Sequence, residues 1–209
     1  MIPALLCLGL VAEGVAWWRI AHRGASVWVT MTPVLVGLGI AALASGRPRL
    51  ASDVSAGLAA TAGLAAGLGL YLATRVFVLV VAPRWPAFRS RSVQMYGRRG
   101  ERSLGAVLVL SLALMVPGEE LFWRGLFLPE LDRALGGVLG PALAWAGYVA
   151  ANVPSANVAI VAAAAVGGAT WVALAAWSGG VLAGLACHAV WTGLMLAVPP
   201  LAVPSGATV

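Results

Sequence analysis

The chain contains no lysine, and charged residues of every kind fill only 10% of its 209 positions. Soluble domains carry roughly 25% charged residues. A water-soluble fold of this size is excluded, because too few polar side chains exist to cover its surface. Cysteine is almost absent: Cys7 and Cys187 stand alone in apolar runs, where buried helix positions are expected, and two isolated thiols match neither a disulfide framework nor a metal-ligand spacing. No Gly-x-Ser-x-Gly segment precedes a histidine-bearing span, which argues against serine chemistry. No His-Glu-x-x-His motif occurs either, so zinc is short of ligands. Soluble linkers, internal repeats and low-complexity segments are also missing.

What the chain has instead is apolar length, with 61% hydrophobic residues and a mean hydropathy of +0.95. A membrane-crossing helix needs about 20 mainly apolar residues. The apolar runs predict spans at Ile2 to Trp18, Val27 to Ala44, Val54 to Val81, Leu104 to Leu128, Val138 to Ala151, Val158 to Trp177 and Val181 to Val198. The expected architecture is therefore all-α, a polytopic transmembrane helix bundle of about seven to eight spans. Residues 1–209 are read as one membrane domain. The third span carries a stripe of small residues, Gly57, Ala60, Gly63, Ala66 and Gly67, of the kind that lets helices approach closely. The chain after Pro199 is expected to fray.

Arginine supplies all of the positive charge, and six arginines crowd one loop, at Arg84, Arg89, Arg91, Arg98, Arg99 and Arg102. Such clustering marks the cytoplasmic side and contact with lipid headgroups, so loop 83–103 is placed in the cytoplasm and nucleic acid is not an expected partner. Counting spans puts the loop of Arg19 and Arg23 on the same side and that of Arg47 and Arg49 on the other. The last placement runs mildly against the same rule. Abundant Ala, Gly, Val and Arg with no lysine suggests a GC-rich bacterial coding sequence, hence a multi-pass protein of a bacterial cell membrane. The first residues are apolar with no basic region and no small-residue cleavage site, so they read as a retained span rather than a signal peptide.

Within the fourth span the sequence LMVPGEELFWRGLF places Glu119, Glu120 and Arg124 at membrane depth. Each ionised group there costs on the order of 2.5 to 3.5 kcal/mol by insertion scales. Glu120 and Arg124 are four apart and share a helix face, so they form the expected neutralising pair. Glu119 is rotated by about 100° and is left as the unpaired carboxylate, facing a cavity. Pro117 and Gly118 just before it invite a kink or a fresh helix start. In the last span His188 and Thr192 share a face, and in the fifth Tyr148 and Asn152 do. If these spans converge, Glu119 can take a proton from water opposite side chains that donate to a developing oxyanion, which is an outline for amide hydrolysis.

EELFWR, Glu119 to Arg124, resembles the EExxxR motif of the CPBP family, the CAAX-protease and bacteriocin-processing intramembrane proteases related to Abi proteins. The run WVALAAWSGGVLAGLACHAVW, Trp171 to Trp191, is similar to that family's last motif region. The resemblance covers roughly the second half of the chain, with a catalytic-type core at about 104–198. It implies Glu119 as the water-activating acid, Glu120 as a supporting acid, Arg124 as its partner and His188 as the last-motif histidine. Two positions depart from the pattern. Asn152 stands where the middle motif FxxxH, aligned on Tyr148 to Asn152, has histidine, and Thr192 stands where the last motif has asparagine. Both remain supporting or oxyanion candidates, but asparagine cannot shuttle a proton near neutral pH.

The resulting expectation is an intramembrane endopeptidase acting on a membrane-associated protein or peptide, with membrane lipid as its other partner. No cofactor is expected, and a metal at Glu119 and His188 stays open. The alternative is a catalytically impaired relative acting as a membrane scaffold or partner-binding protein. A small transporter or channel subunit ranks last, since few spans carry polar residues.

Overall fold

The computed structural model describes residues 2–201 and contains helices and turns with no strand among them. Eight helices follow in order: α1 Ile2–Arg23, α2 Val27–Ala44, α3 Ala56–Val81, α4 Pro86–Gly97, α5 Leu104–Leu135, α6 Leu139–Asn152, α7 Val158–Ser178 and α8 Leu182–Ala197. Of these, α1, α2, α3, α5 and α7 are long and apolar enough to cross a membrane by themselves, while α8 is apolar but shorter. At 14 residues α6 is shorter still. The all-α, polytopic reading holds, with the span count resting on five full-length helices. Most of the chain expected to fray after Pro199 lies at 202–209, outside the described residues.

The outward faces are those of a membrane protein. Val11, Val29, Ile40, Val76, Val109 and Val166 are each about three-fifths exposed, an arrangement water would penalise and lipid does not. Cys7 lies on such an exposed face rather than in the core, whereas Cys187 is buried, and both are free thiols.

The third and eighth helices make the most intimate contact. Ala59, Gly63, Gly67 and Leu70 form a buried i, i+4, i+8, i+11 row, and its two glycines lie directly on the backbone of α8. A methyl group built at Gly67 would sit 2.7 Å from the carbonyl oxygen of Cys187 and 2.8 Å from Val190 Cβ. Gly57, at the start of the stripe, faces open space and takes no part. Gly67→Leu is accordingly expected to lower stability by about 1 to 3 kcal/mol through overpacking, read by thermal unfolding in detergent. Gly57→Ala should be neutral or slightly stabilising, and equal effects at the two positions would refute this packing.

The fifth helix is longer than the sequence suggests, running on to Leu135 without a break at Pro117. No fresh start occurs there, and the helix carries two stretches of wide π-helical turns, Leu110–Met115 and Leu121–Phe127, each ending two residues before a proline, Pro117 and Pro129. Widening the preceding turn moves the carbonyl that a proline ring would strike, and such insertions concentrate at functional sites. Gly118 serves a different need, because a side chain there would collide with the Leu35 backbone of α2. The second helix therefore lies against the turn that bears the two acids.

The connections sort to two ends. At one end Arg98 donates to the carbonyls of Ile20 and Ala25, Arg99 to that of Leu196, and the Asn157 side chain to that of Arg91. This end gathers the α1–α2 turn, α4 with its following turn, the α6–α7 turn and the end of α8. At the other end the backbone N–H of Arg49 donates to Gly125 and that of Asp53 to Ser178. The arginines of this second end are paired, Arg47 and Arg133 with Glu130 and Arg49 with Asp53. The arginine-rich loop and the Arg19/Arg23 turn thus share an end, as the span count expects.

Candidate active site

Glu119, Glu120 and Arg124 are all buried on α5, and the side chains around them come from α1, α6, α7 and α8. The pair expected between Glu120 and Arg124 is formed, with Nη1 3.2 Å from Oε1 and both side chains enclosed. The Arg124 guanidinium also lies over the Tyr148 ring at 4.3 Å and the Trp171 ring at 5.0 Å from their centroids. A cation this close to two aromatic rings gains from each quadrupole, more so where water is excluded. Gly184 on α8 makes the room: a methyl group there would stand 2.9 Å from Glu120 Oε2.

His188 adds a second tie to the same carboxylate. Its Nδ1 is 2.9 Å from Glu120 Oε1, and its ring stacks on Trp171 at 3.7 Å between centroids. An ion-paired carboxylate accepts, so Nδ1 carries the hydrogen. Nε2 is then the nitrogen left to the cavity that His188 lines.

Glu119 takes a separate direction, as its rotation from Glu120 requires, but it is not unpaired. The Tyr148 hydroxyl donates to its Oε1 at 2.5 Å. A phenol one helix away was within reach because Tyr148 and Asn152 share the inward face of α6. Asn152 is likewise buried, yet as an oxyanion donor it is already engaged: Nδ2 donates to Glu13 Oε1 at 3.1 Å and to the Tyr148 carbonyl at 3.0 Å. Both amide hydrogens have partners, so the donor role expected for Asn152 needs one of these bonds to break. Thr192 is half-buried and lines the cavity with His188.

Glu13 is the member that the sequence reading passed over. It sits in the middle of α1, fully enclosed, and its other oxygen accepts from Trp123 Nε1 at 2.8 Å. The signal was available, since a lone acid inside an otherwise apolar span marks a functional position by default. It was masked by its neighbours, all apolar or small from Ile2 to Trp18.

Glu13, Glu119, Tyr148, Asn152, His188 and Thr192 line one cavity of about 240 Å³, which extends to Arg98 and Arg99 at the basic end. Met31, Leu35, Met115, Ile160 and Met195 supply apolar walls. A second cavity of about 230 Å³ lies toward the opposite end between Arg124, Arg49, Asp132 and Gly179. Among the described residues no group of three or more His, Cys, Asp or Glu side chains is arranged to hold a metal ion.

Residues 102–194 match the family model described as type II CAAX prenyl endopeptidase, Rce1-like. This segment is CAAX-protease-like. The match spans somewhat under half of the chain and takes in Glu119, Glu120, Arg124, Asn152, His188 and Thr192, in agreement with the resemblance read from EELFWR and the histidine helix. It supports, in general terms, a CAAX-type intramembrane endopeptidase associated with the membrane and acting on a peptide. No curated protein and no solved structure matches the chain. Within the CAAX-protease-like segment lie α5 to α8 as far as Leu194, whereas Glu13 belongs to the α1–α4 part outside it.

Proposed function

We propose that this protein hydrolyses a peptide bond of a membrane-associated protein or peptide, with Glu119 as the base that activates water. The observation that supports this most directly is the division of labour between two adjacent acids. Glu120 is tied to Arg124 and His188, while Glu119 faces the cavity with a single side-chain donor, Tyr148. A carboxylate held in one orientation and reachable by water is what a general base requires. The His188 ring donates from Nδ1 to Glu120 and presents Nε2 to the cavity as an acceptor, and the Thr192 hydroxyl beside it is the donor that stabilises a developing oxyanion. Arg124 and Trp171 position that ring rather than meet the substrate. The peptide enters from the basic end, past Arg98 and Arg99, which we take to be the cytoplasmic one.

The test uses the full chain reconstituted in phospholipid vesicles with prenylated and unmodified peptides and a single-span membrane protein, and mass spectrometry of the products. Cleavage at one bond by the wild type and none by Glu119→Gln is the expected result. Equal, background-level turnover by both would defeat the proposal. The occupied amide of Asn152 favours a second reading, a partner-binding membrane protein without turnover. Under it both proteins would leave every substrate intact while retaining the same bound partner.

A further inference from the structure

A third carboxylate faces the same cavity, and the reaction outlined above leaves it unused. Glu13 is 1% exposed, and an acid so placed in a membrane span carries a large desolvation cost unless it is neutralised or paired. Its hydrogen bonds come from neutral donors, Trp123 and Asn152. The charged groups close enough to act on it are Glu119 and Arg124, both on α5. Arg124 already pairs with Glu120. One cation therefore serves three carboxylates in a low-dielectric interior, with His188 held against Glu120.

The sixth helix sets the spacing of the two carboxylates that are left. Tyr148 holds Glu119 and Asn152 holds Glu13, and the two holders are one turn apart on one face, with Cβ atoms about 5 to 6 Å from each other. Asn152 is itself braced on the Tyr148 carbonyl. Glu13 from α1 and Glu119 from α5 thus face one cavity beside residues one turn apart on α6, and like carboxyl groups facing one enclosed space cannot both ionise cheaply.

We propose that Glu13 and Glu119 are a proton-sharing carboxyl pair in which Glu119 receives the proton of the attacking water and Glu13 gives its proton to the leaving amine. The inference rests on the endopeptidase reading. Water loses a proton to Glu119 as its oxygen bonds to the carbonyl carbon, giving a tetrahedral oxyanion. The amide nitrogen takes the proton of Glu13, the C–N bond breaks, and the products are a carboxylic acid and an amine. The proton on Glu119 then passes to Glu13 through the cavity, and the pair is reset with one water consumed.

Glu13→Gln separates this role from a structural one. Glutamine is isosteric and still accepts from Trp123, but its amide nitrogen meets that of Asn152, so one hydrogen bond is given up, and glutamine cannot deliver a proton. In vesicles, Glu13→Gln should lower kcat about 10²-fold or more with KM within about twofold, and Glu13→Asp should recover part of the loss. The second measurement is the infrared spectrum of the wild type at neutral pH, in which a protonated carboxyl band is expected and is lost in Glu13→Gln. Wild-type turnover in Glu13→Gln would overturn the pair while leaving Glu119 as base. Absence of the band in the wild type would overturn it even if Glu13→Gln failed to fold. Should no substrate be cleaved by any protein, the endopeptidase reading fails, and the infrared band still decides whether the pair exists.

Discussion

Glu119→Gln is expected to slow peptide hydrolysis by about 10² to 10⁴-fold, the range over which a positioned general base acts, with little change in the affinity for substrate. The amide keeps the shape of the carboxyl group and can still accept from Tyr148, so the fold should persist. What disappears is the ability to take a proton from water. Tyr148→Phe gives the graded comparison. It removes the hydrogen bond that orients Glu119, leaves the base in place, and should cost about tenfold. Vesicle-based turnover with matched unfolding curves checks both. If Tyr148→Phe proved as damaging as Glu119→Gln, the phenol rather than the carboxylate would be the reacting group. If neither changed turnover, the cavity would not be the site of hydrolysis.

Arg124→Leu should be the most destabilising single change in the cluster, by about 3 to 5 kcal/mol, because it leaves the enclosed Glu120 without its cation. The loss includes the cation–ring contacts with Tyr148 and Trp171, so Arg124→Lys should restore only part of it. An ammonium is a compact point charge on a flexible stem and lacks the broad guanidinium that reaches both rings and Glu120 at once. The double variant Glu120→Gln, Arg124→Met should regain most of the stability, since replacing a buried pair outright is far cheaper than halving it. Reversible unfolding in mixed micelles reads all three. A loss below about 1 kcal/mol in Arg124→Leu would mean that Glu120 changes protonation or reaches water instead of relying on Arg124.

Much of the site was legible in the sequence because membrane burial makes polar residues conspicuous. Glu120 and Arg124 at i,i+4 could be paired without a structure, since helical geometry alone puts them on one face, and 3.2 Å is the outcome. The placement of His188 was legible as a position but not as a partner. Its tie to Glu120 rather than Glu119 depends on how α8 sits beside α5, where Gly184 leaves room for Glu120, and on the seat that Gly63 and Gly67 of α3 give to α8. The fresh helix start considered at Pro117 did not occur, because wide turns upstream accommodate the ring, and no local propensity distinguishes such a turn from an ordinary one. Glu13 was overlooked for lack of a local partner: its contacts are 110 and 139 residues away in sequence.

By itself, the sequence determined the solvent, the helical class and the pairs within a helix, because composition and a period of 3.6 residues act locally and need no knowledge of neighbours. It also carried the motif that lies within the family match over 102–194. Only the tertiary structure decided which side chains meet across helices: Tyr148 with Glu119, His188 with Glu120, and Asn152 with Glu13. Those meetings depend on the rotation and depth of each helix in the bundle. Packing of small residues and enclosed aromatic rings sets both, through contacts between segments far apart in the chain.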